Sequence, residues 1–248
     1  MKVFTMPVPK EVDMPSNRKA VFELRDNDPL YTEVVRGLRA KVEHRIDQMG
    51  LRTLGFTSAV SGEGKTKTAI HLAVNMASTG RKKVLLMDLD LRKSDIAREM
   101  RIGAGPGLSE YLAGTVSREE ILRNTSIRGL FLIPAGKPVA SPVDMLAGDK
   151  FRSFLKELRD HFDLLILDTP PILPVPDALT ISDQLDAFIL VFRLSFTPYK
   201  LLRQAVDELG TGKILGVVLN GDEKKSDKYY SRYYGNYYKP SDIEGKIR

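Results

Sequence analysis

The chain has 248 residues, 42% of them hydrophobic and 28% charged, enough for one large domain or two small ones with a sizeable core. It contains no cysteine, which excludes disulfides and thiolate metal sites and favours a reducing compartment. A formal charge of +6 suits an ordinary basic protein, a polyanionic partner such as nucleic acid or an anionic bilayer surface, or a nucleotide binder, and does not choose among them.

Residues 1–28 are rich in proline and charge and read as an extended arm. The opening "MKVFTMPVPKEVDMP" lacks the apolar stretch of a signal peptide, and the chain has no run of 18 apolar residues. A cytoplasmic protein is expected, with any membrane contact supplied by a partner. Next, "LYTEVVRGLRAKVEHRID" (30–47) sets Val35, Leu38, Val42 and Ile46 near helical spacing, an amphipathic helix despite Gly37. Glu33, Arg36 and Arg39 follow one another three residues apart on it. By residue type alone they are a solvated face with one weak ion pair worth roughly 0.3 kcal/mol.

From residue 50 the pattern changes to short aliphatic runs alternating with helical stretches. Strands are predicted at 52–59, 83–90, 129–136, 163–171, 186–194 and 213–220. Helices are predicted at 65–79, 92–100, 107–113, 117–123, 148–161, 176–182 and 198–209. The strands are near-continuous Val/Ile/Leu runs rather than alternating ones, which marks strands buried on both faces. The expected fold is α/β, a mostly parallel central sheet of six or seven strands flanked by helices. It occupies residues 29–221 with its N-terminal helix. Beyond Asn220 aliphatic residues nearly stop, and 222–248 reads as a flexible tail.

Three predicted strand ends carry chemistry. "SAVSGEGKTKTA" (58–69) has Ala59, Gly64, Lys65 and Thr66 at Walker A spacing, after a buried strand and opening a helix. The backbone of Ser61, Gly62, Glu63, Gly64, Lys65, Thr66 and Lys67 is expected to cradle phosphates at a helix N-terminus. Lys65 supplies a full charge there and Thr66 a hydroxyl for Mg²⁺. "LLMDLDLR" (85–92) ends a strand with Asp88 and Asp90, two residues apart and so on one face of an extended chain, followed by Arg92. Two carboxylates together call for a cation. "LLILDTPP" (164–171) delivers Asp168 in a Walker B pattern. Ligands of open parallel sheets bind beyond the carboxyl ends of strands, so one Mg²⁺–nucleotide site can use all three. No N-K-x-D guanine signature occurs, which points to ATP.

With these motifs the chain resembles bacterial tyrosine kinases of the capsule and exopolysaccharide type, within the P-loop ATPases, over roughly residues 30–240. The resemblance rests on five elements in the family's order: the Walker A motif (59–66), three aliphatics then D-x-D-x-R (85–92), the Walker B motif (165–168), E-x-x-R-x-x-R at Glu33, Arg36 and Arg39, and a C-terminal tyrosine cluster. Val60 stands where partitioning and division-site ATPases carry a lysine. The resemblance implies an ATP- and Mg²⁺-dependent protein-tyrosine autokinase. Asp88 would be the base, Lys65 and Arg92 further catalytic groups, and Thr66, Asp90 and Asp168 the metal ligands. Asn220 would meet adenine, and Glu33, Arg36 and Arg39 would dock on a neighbouring subunit to build a ring. It also implies a separate membrane-spanning activator that recruits the protein to the inner face of the membrane, and a phosphotyrosine phosphatase. Nucleic acid is not an expected partner. The rival readings are a nucleotide-switched positioning ATPase that binds DNA or membrane, and a non-catalytic scaffold.

The tail "KYYSRYYGNYYK" (228–239) holds Tyr229, Tyr230, Tyr233, Tyr234, Tyr237 and Tyr238, three doublets four residues apart. These are the expected phosphoacceptors. Ser231, Gly235 and Asn236 keep the segment pliant. From Asn220 to Tyr238 an extended chain reaches at most about 60 Å, against a sheet width of about 30 Å. Length thus permits a chain's own site or a neighbour's.

Overall fold

A computed structural model describes residues 29–103 and 105–221. The N-terminal arm and the tyrosine tail lie outside the described residues, as do Tyr229, Tyr230, Tyr233, Tyr234, Tyr237 and Tyr238.

The six aliphatic runs all become strands: β1 (Thr53–Ser58), β2 (Val84–Asp88), β4 (Leu130–Ile133), β5 (Leu164–Asp168), β6 (Ala187–Arg193) and β7 (Ile214–Asn220). A seventh, β3 (Arg123–Asn124), starts on the last residue of the helix predicted over 117–123. It pairs antiparallel with β4 and is too short and too polar to show a pattern. The sheet order is β3-β4-β2-β5-β1-β6-β7, parallel except for β3. Every residue of β1, β2 and β5 is buried, as continuous apolar runs require when helices cover both faces. At the sheet edge, β7 departs from this: Val217 is 43% and Leu219 60% exposed.

On one face, α1 (Pro29–Met49) and α2 (Lys65–Ala77) pack together. Val42 and Ile46 enter a cluster with Ile70, Ala73 and Leu86, and Leu38 packs against it. The opposite face is covered by α7 (Asp149–His161), whose Phe151, Phe154, Leu155 and Leu158 recur at helical spacing, and by α9 (Tyr199–Leu209), through Ala205 and Leu209. Shorter helices fill the connections: α3 (Ile96–Glu99), α4 (Leu108–Ala113), α5 (Arg118–Ile121), α6 (Pro142–Ala147) and α8 (Asp177–Thr180). The stretch predicted as helix over 92–100 is helical only in α3. The residues before it form a turn that Asp88 closes with its side chain. The reading passed over α6, although Ser141 before Pro142 is a helix-start signal.

Candidate active site

The topology sets the site. β1 lies between β5 and β6, and β2 lies beyond β5, so the loops leaving β1, β2 and β5 open at one edge. Asp88 and Asp168 are register partners on adjacent strands, and Phe56 of β1 is the partner of Asp168 on its other side.

The loop after β1 turns through Gly62 (φ 88°) and Gly64 (φ 93°), left-handed conformations that a side chain would strain. α2 then starts at Lys65 with its first N–H groups facing the loop. Ser61 and Gly62 are exposed, Glu63 and Thr66 buried. The Lys65 ammonium stands 3.3 Å from Asp90 Oδ2 and 3.5 Å from Asp168 Oδ1, and donates to Thr66 Oγ1 at 3.4 Å. Burial works against its charge, but Asp168, Asp90 and Asp88 more than offset this and hold its pKa above the ordinary value.

Asp90 does not join Asp88 by simple strand alternation, because β2 ends at Asp88. Asp88 Oδ1 accepts from the Asp90 backbone N–H at 3.0 Å, and Asp90 Oδ1 accepts from that of Lys93 at 3.0 Å. This turn aims Asp90 at Lys65. Asp88 Oδ2 accepts from Ser94 Oγ at 2.8 Å and from the Ile96 N–H at 3.3 Å, at the start of α3. Burial and then the charge of Asp168 push the Asp88 carboxyl up to about 7, against the pull of Ser94, Lys65 and the Asp90 N–H. Burial likewise raises Asp168 to about 6, opposed by Lys65 and the nearby Thr66 hydroxyl.

Both Asp168 oxygens are buried and accept no hydrogen bond. Orphaned carboxylate oxygens beside a hydroxyl and a second carboxylate suit a hard cation. Among the described residues no three acidic or imidazole side chains form a metal cage. Mg²⁺ takes one or two carboxylates and completes its shell with water and phosphate. Thr66, Asp90 and Asp168 fit such an ion, and the loop and helix start fit phosphates.

Four sequence-picked residues engage protein partners with their side chains. The side chain of Glu63 is buried and accepts from protein N–H and O–H groups, so only its backbone can serve a phosphate. Lys67 turns away to Glu99, 3.9 Å off, where its ammonium is mostly solvated. Asn220 donates its Nδ2 to the Glu63 carbonyl at 2.8 Å, and its Oδ1 accepts from the Gly221 N–H at 2.9 Å. The amide thus fastens β7 to the loop. Arg92 donates Nε to Asp177 Oδ2 at 3.1 Å, which ties the turn after β2 to α8. Asp177 is fully buried, and sequence reading missed it: "VPD" suggests a helix start but not the ion pair. On α1, Arg36 pairs loosely with Glu33 at 3.8 Å on an exposed face, and Arg39 buries its Nε without a hydrogen-bond partner.

The AAA domain family model matches residues 52–197. Tyrosine-protein kinase YwqD of Bacillus subtilis is 30% identical over 220 residues, 88% of this chain and 92% of that protein. Tyrosine-protein kinase ptk of Acinetobacter johnsonii is 28% identical over 84% of this chain, which spans only 29% of ptk. Among solved structures, the kinase domain of the Escherichia coli tyrosine kinase ETK superposes with a TM-score of 0.72 at 31% identity, covering 77% of this chain and 75% of that one.

Proposed function

The chain belongs to the bacterial tyrosine-protein kinases, and from that premise we propose that it transfers the γ-phosphoryl group of ATP to the tyrosines of its own C-terminal cluster, between subunits. One observation carries the reading. Lys65 and Thr66 at the start of α2, Asp90 after β2 and Asp168 at the end of β5 meet beside the glycine turn, and both Asp168 oxygens are left without a hydrogen bond.

The chemistry asked of the protein is alignment and charge neutralisation, plus an acceptor for the phenolic proton. Backbone N–H groups of 61–66 and the Lys65 ammonium hold the β- and γ-phosphates. Thr66, Asp90 and Asp168 would hold Mg²⁺, which would neutralise phosphate charge. Asp88 takes the proton. Its carboxyl, held near neutrality, is suited to exchange protons at physiological pH, and Ser94 must release Oδ2 for a phenol to reach it. Arg92, anchored on Asp177, shapes the turn that carries Asp90. Glu33, Arg36 and Arg39 dock on a neighbouring subunit, consistent with an exposed stretch of α1, and so build a ring that brings one tail to the next site.

Among the described residues no helix is long and apolar enough to cross a membrane. A separate membrane-spanning activator would recruit the kinase to the inner face of the membrane. There it would regulate polysaccharide synthesis or export, with a phosphotyrosine phosphatase resetting it. Incubation with Mg-ATP followed by mass mapping tests the reading. Phosphate on Tyr229–Tyr238, absent in Lys65→Met, supports it. Phosphate release without modification would instead mark a positioning ATPase, and neither would mark a scaffold.

A further inference from the structure

Glu63 lies in the phosphate loop, yet its carboxylate is fully buried and makes no use of the phosphate side. Oε2 accepts from the Val60 N–H at 2.8 Å, inside the loop. Oε1 accepts from the Arg193 N–H at 3.2 Å and from Thr197 Oγ1 at 2.7 Å, both on the turn that leaves β6. That turn is itself constrained. Ser195 sits at φ 58°, the Thr197 N–H donates to the Arg193 carbonyl at 3.1 Å, and the Leu194 N–H donates to the Asn220 carbonyl at 2.8 Å. Arg193 Nη1 reaches the Gly62 carbonyl at 3.4 Å, and its guanidinium lies 5.0 Å from the Phe196 ring. Thr197, like Glu63, is buried.

A loop rich in glycine has many conformations open to it, and few of them aim successive N–H groups at one point. Something must select that shape before a ligand arrives, or binding is reduced by the fraction of loops that have it. The neighbouring turn supplies the selection here. We propose that Glu63 is a positioning residue whose buried carboxylate latches the phosphate loop to the Arg193–Thr197 turn, preorganising the loop for a nucleoside triphosphate, with Thr197 as the striker of that latch. The inference rests on the nucleotide-binding reading above. It also predicts that anything moving the turn, which leads directly into α9, alters affinity at the loop.

Thr197→Val removes one hydroxyl with little change of shape, and Thr197→Ser restores it. Glu63→Gln sets an amide N–H₂ against one of the N–H groups that the carboxylate now accepts. Two readouts are needed on the full-length protein: amide hydrogen exchange of residues 60–64 without nucleotide, and the Kd for a fluorescent Mg-ATP analogue, with KM and kcat for ATP alongside. Expected are faster exchange across 60–64 and a Kd raised roughly tenfold in Thr197→Val, and more in Glu63→Gln. Thr197→Ser stays close to wild type, and in Thr197→Val kcat at saturating ATP stays within about twofold because bound nucleotide restores the loop. Unchanged exchange in Thr197→Val overturns the latch whatever the nucleotide does. So does a lowered melting temperature with Kd unchanged, since Thr197 would then serve folding alone. Wild-type protein that binds no Mg-ATP defeats the kinase reading and, with it, the role given to the latch.

Discussion

Replacing Asp168 by asparagine should make the nucleotide-free protein more stable, not less. Both oxygens of this carboxylate are buried without a donor, and the nearest cation, Lys65, is shared with Asp90. Folding raises the carboxyl from its ordinary 3.8 to about 6. At about 1.4 kcal/mol per pH unit, ionised Asp168 therefore costs the fold at most about 3 kcal/mol at pH 8. The sign follows from proton binding. The folded state holds the proton more tightly than the unfolded chain, so the stabilising contribution is complete below 3.8 and is lost as pH rises through about 6. Wild type pays this above pH 6 and an amide does not. Allowing for the unmet N–H₂ of the asparagine, Asp168→Asn should gain about 1–3 kcal/mol at pH 8 and about 1.4 kcal/mol less than that at pH 5, one unit below the folded-state value of about 6. Asp168 also raises Asp88, so the variant eases a second buried acid and sharpens the contrast. Urea denaturation at both pH values, without divalent metal and with the m-value checked for constancy, measures the gap. Equal stabilities at pH 8, or an equal gap at pH 5, refutes the placement of Asp168 as a buried charge that accepts no hydrogen bond and shares its one nearby cation. The same variant should lose the stabilisation that Mg-ATP gives wild type, about 2.7 kcal/mol at a hundredfold excess over Kd.

Arg92→Ala should destabilise by about 2 kcal/mol, because it strands the fully buried Asp177 carboxylate. Asp177→Ala should cost less than about 1 kcal/mol, since the freed Arg92 is already 40% exposed and can hydrate. Urea melts of the two variants check that order, and a reversed order would remove Asp177 as the anchor of the turn. In native mass spectrometry, the proposed ring should dissociate once its tails are phosphorylated. Six phosphotyrosines add about −9 to −12 against a formal +6, so neighbouring tails repel. A fully phosphorylated protein that stays assembled would end that release model.

Most of the sheet was legible because a strand buried on both faces needs apolar residues at every position, and such runs are hard to mistake. β3 was not, since Arg123–Asn124 has no such demand placed on it. The helix expected over 92–100 shrank to α3 because Asp88 makes a better offer to the intervening backbone, accepting N–H groups of Asp90 and Ile96. A period of 3.6 cannot reveal that competition. β7 reads like the inner strands yet leaves Val217 and Leu219 exposed, because hydropathy records what a residue tolerates and not its place in the sheet order.

The site divides along the same line. Lys65, Thr66, Asp90 and Asp168 could be picked from sequence because phosphate and cation chemistry restricts which side chains can serve, and the glycines because φ near 90° restricts which can turn. Their supports obey no such restriction. Thr197 lies 134 residues from Glu63, Asn220 157 from it, and Asp177 85 from Arg92. Each is one polar residue among many, and only the strand order brings it to its partner. Sequence therefore names the groups proposed to act on a ligand, while the contacts that hold them in place emerge from topology. For the same reason, a Thr197 variant would look harmless in the sequence and yet loosen a loop at the other end of the chain.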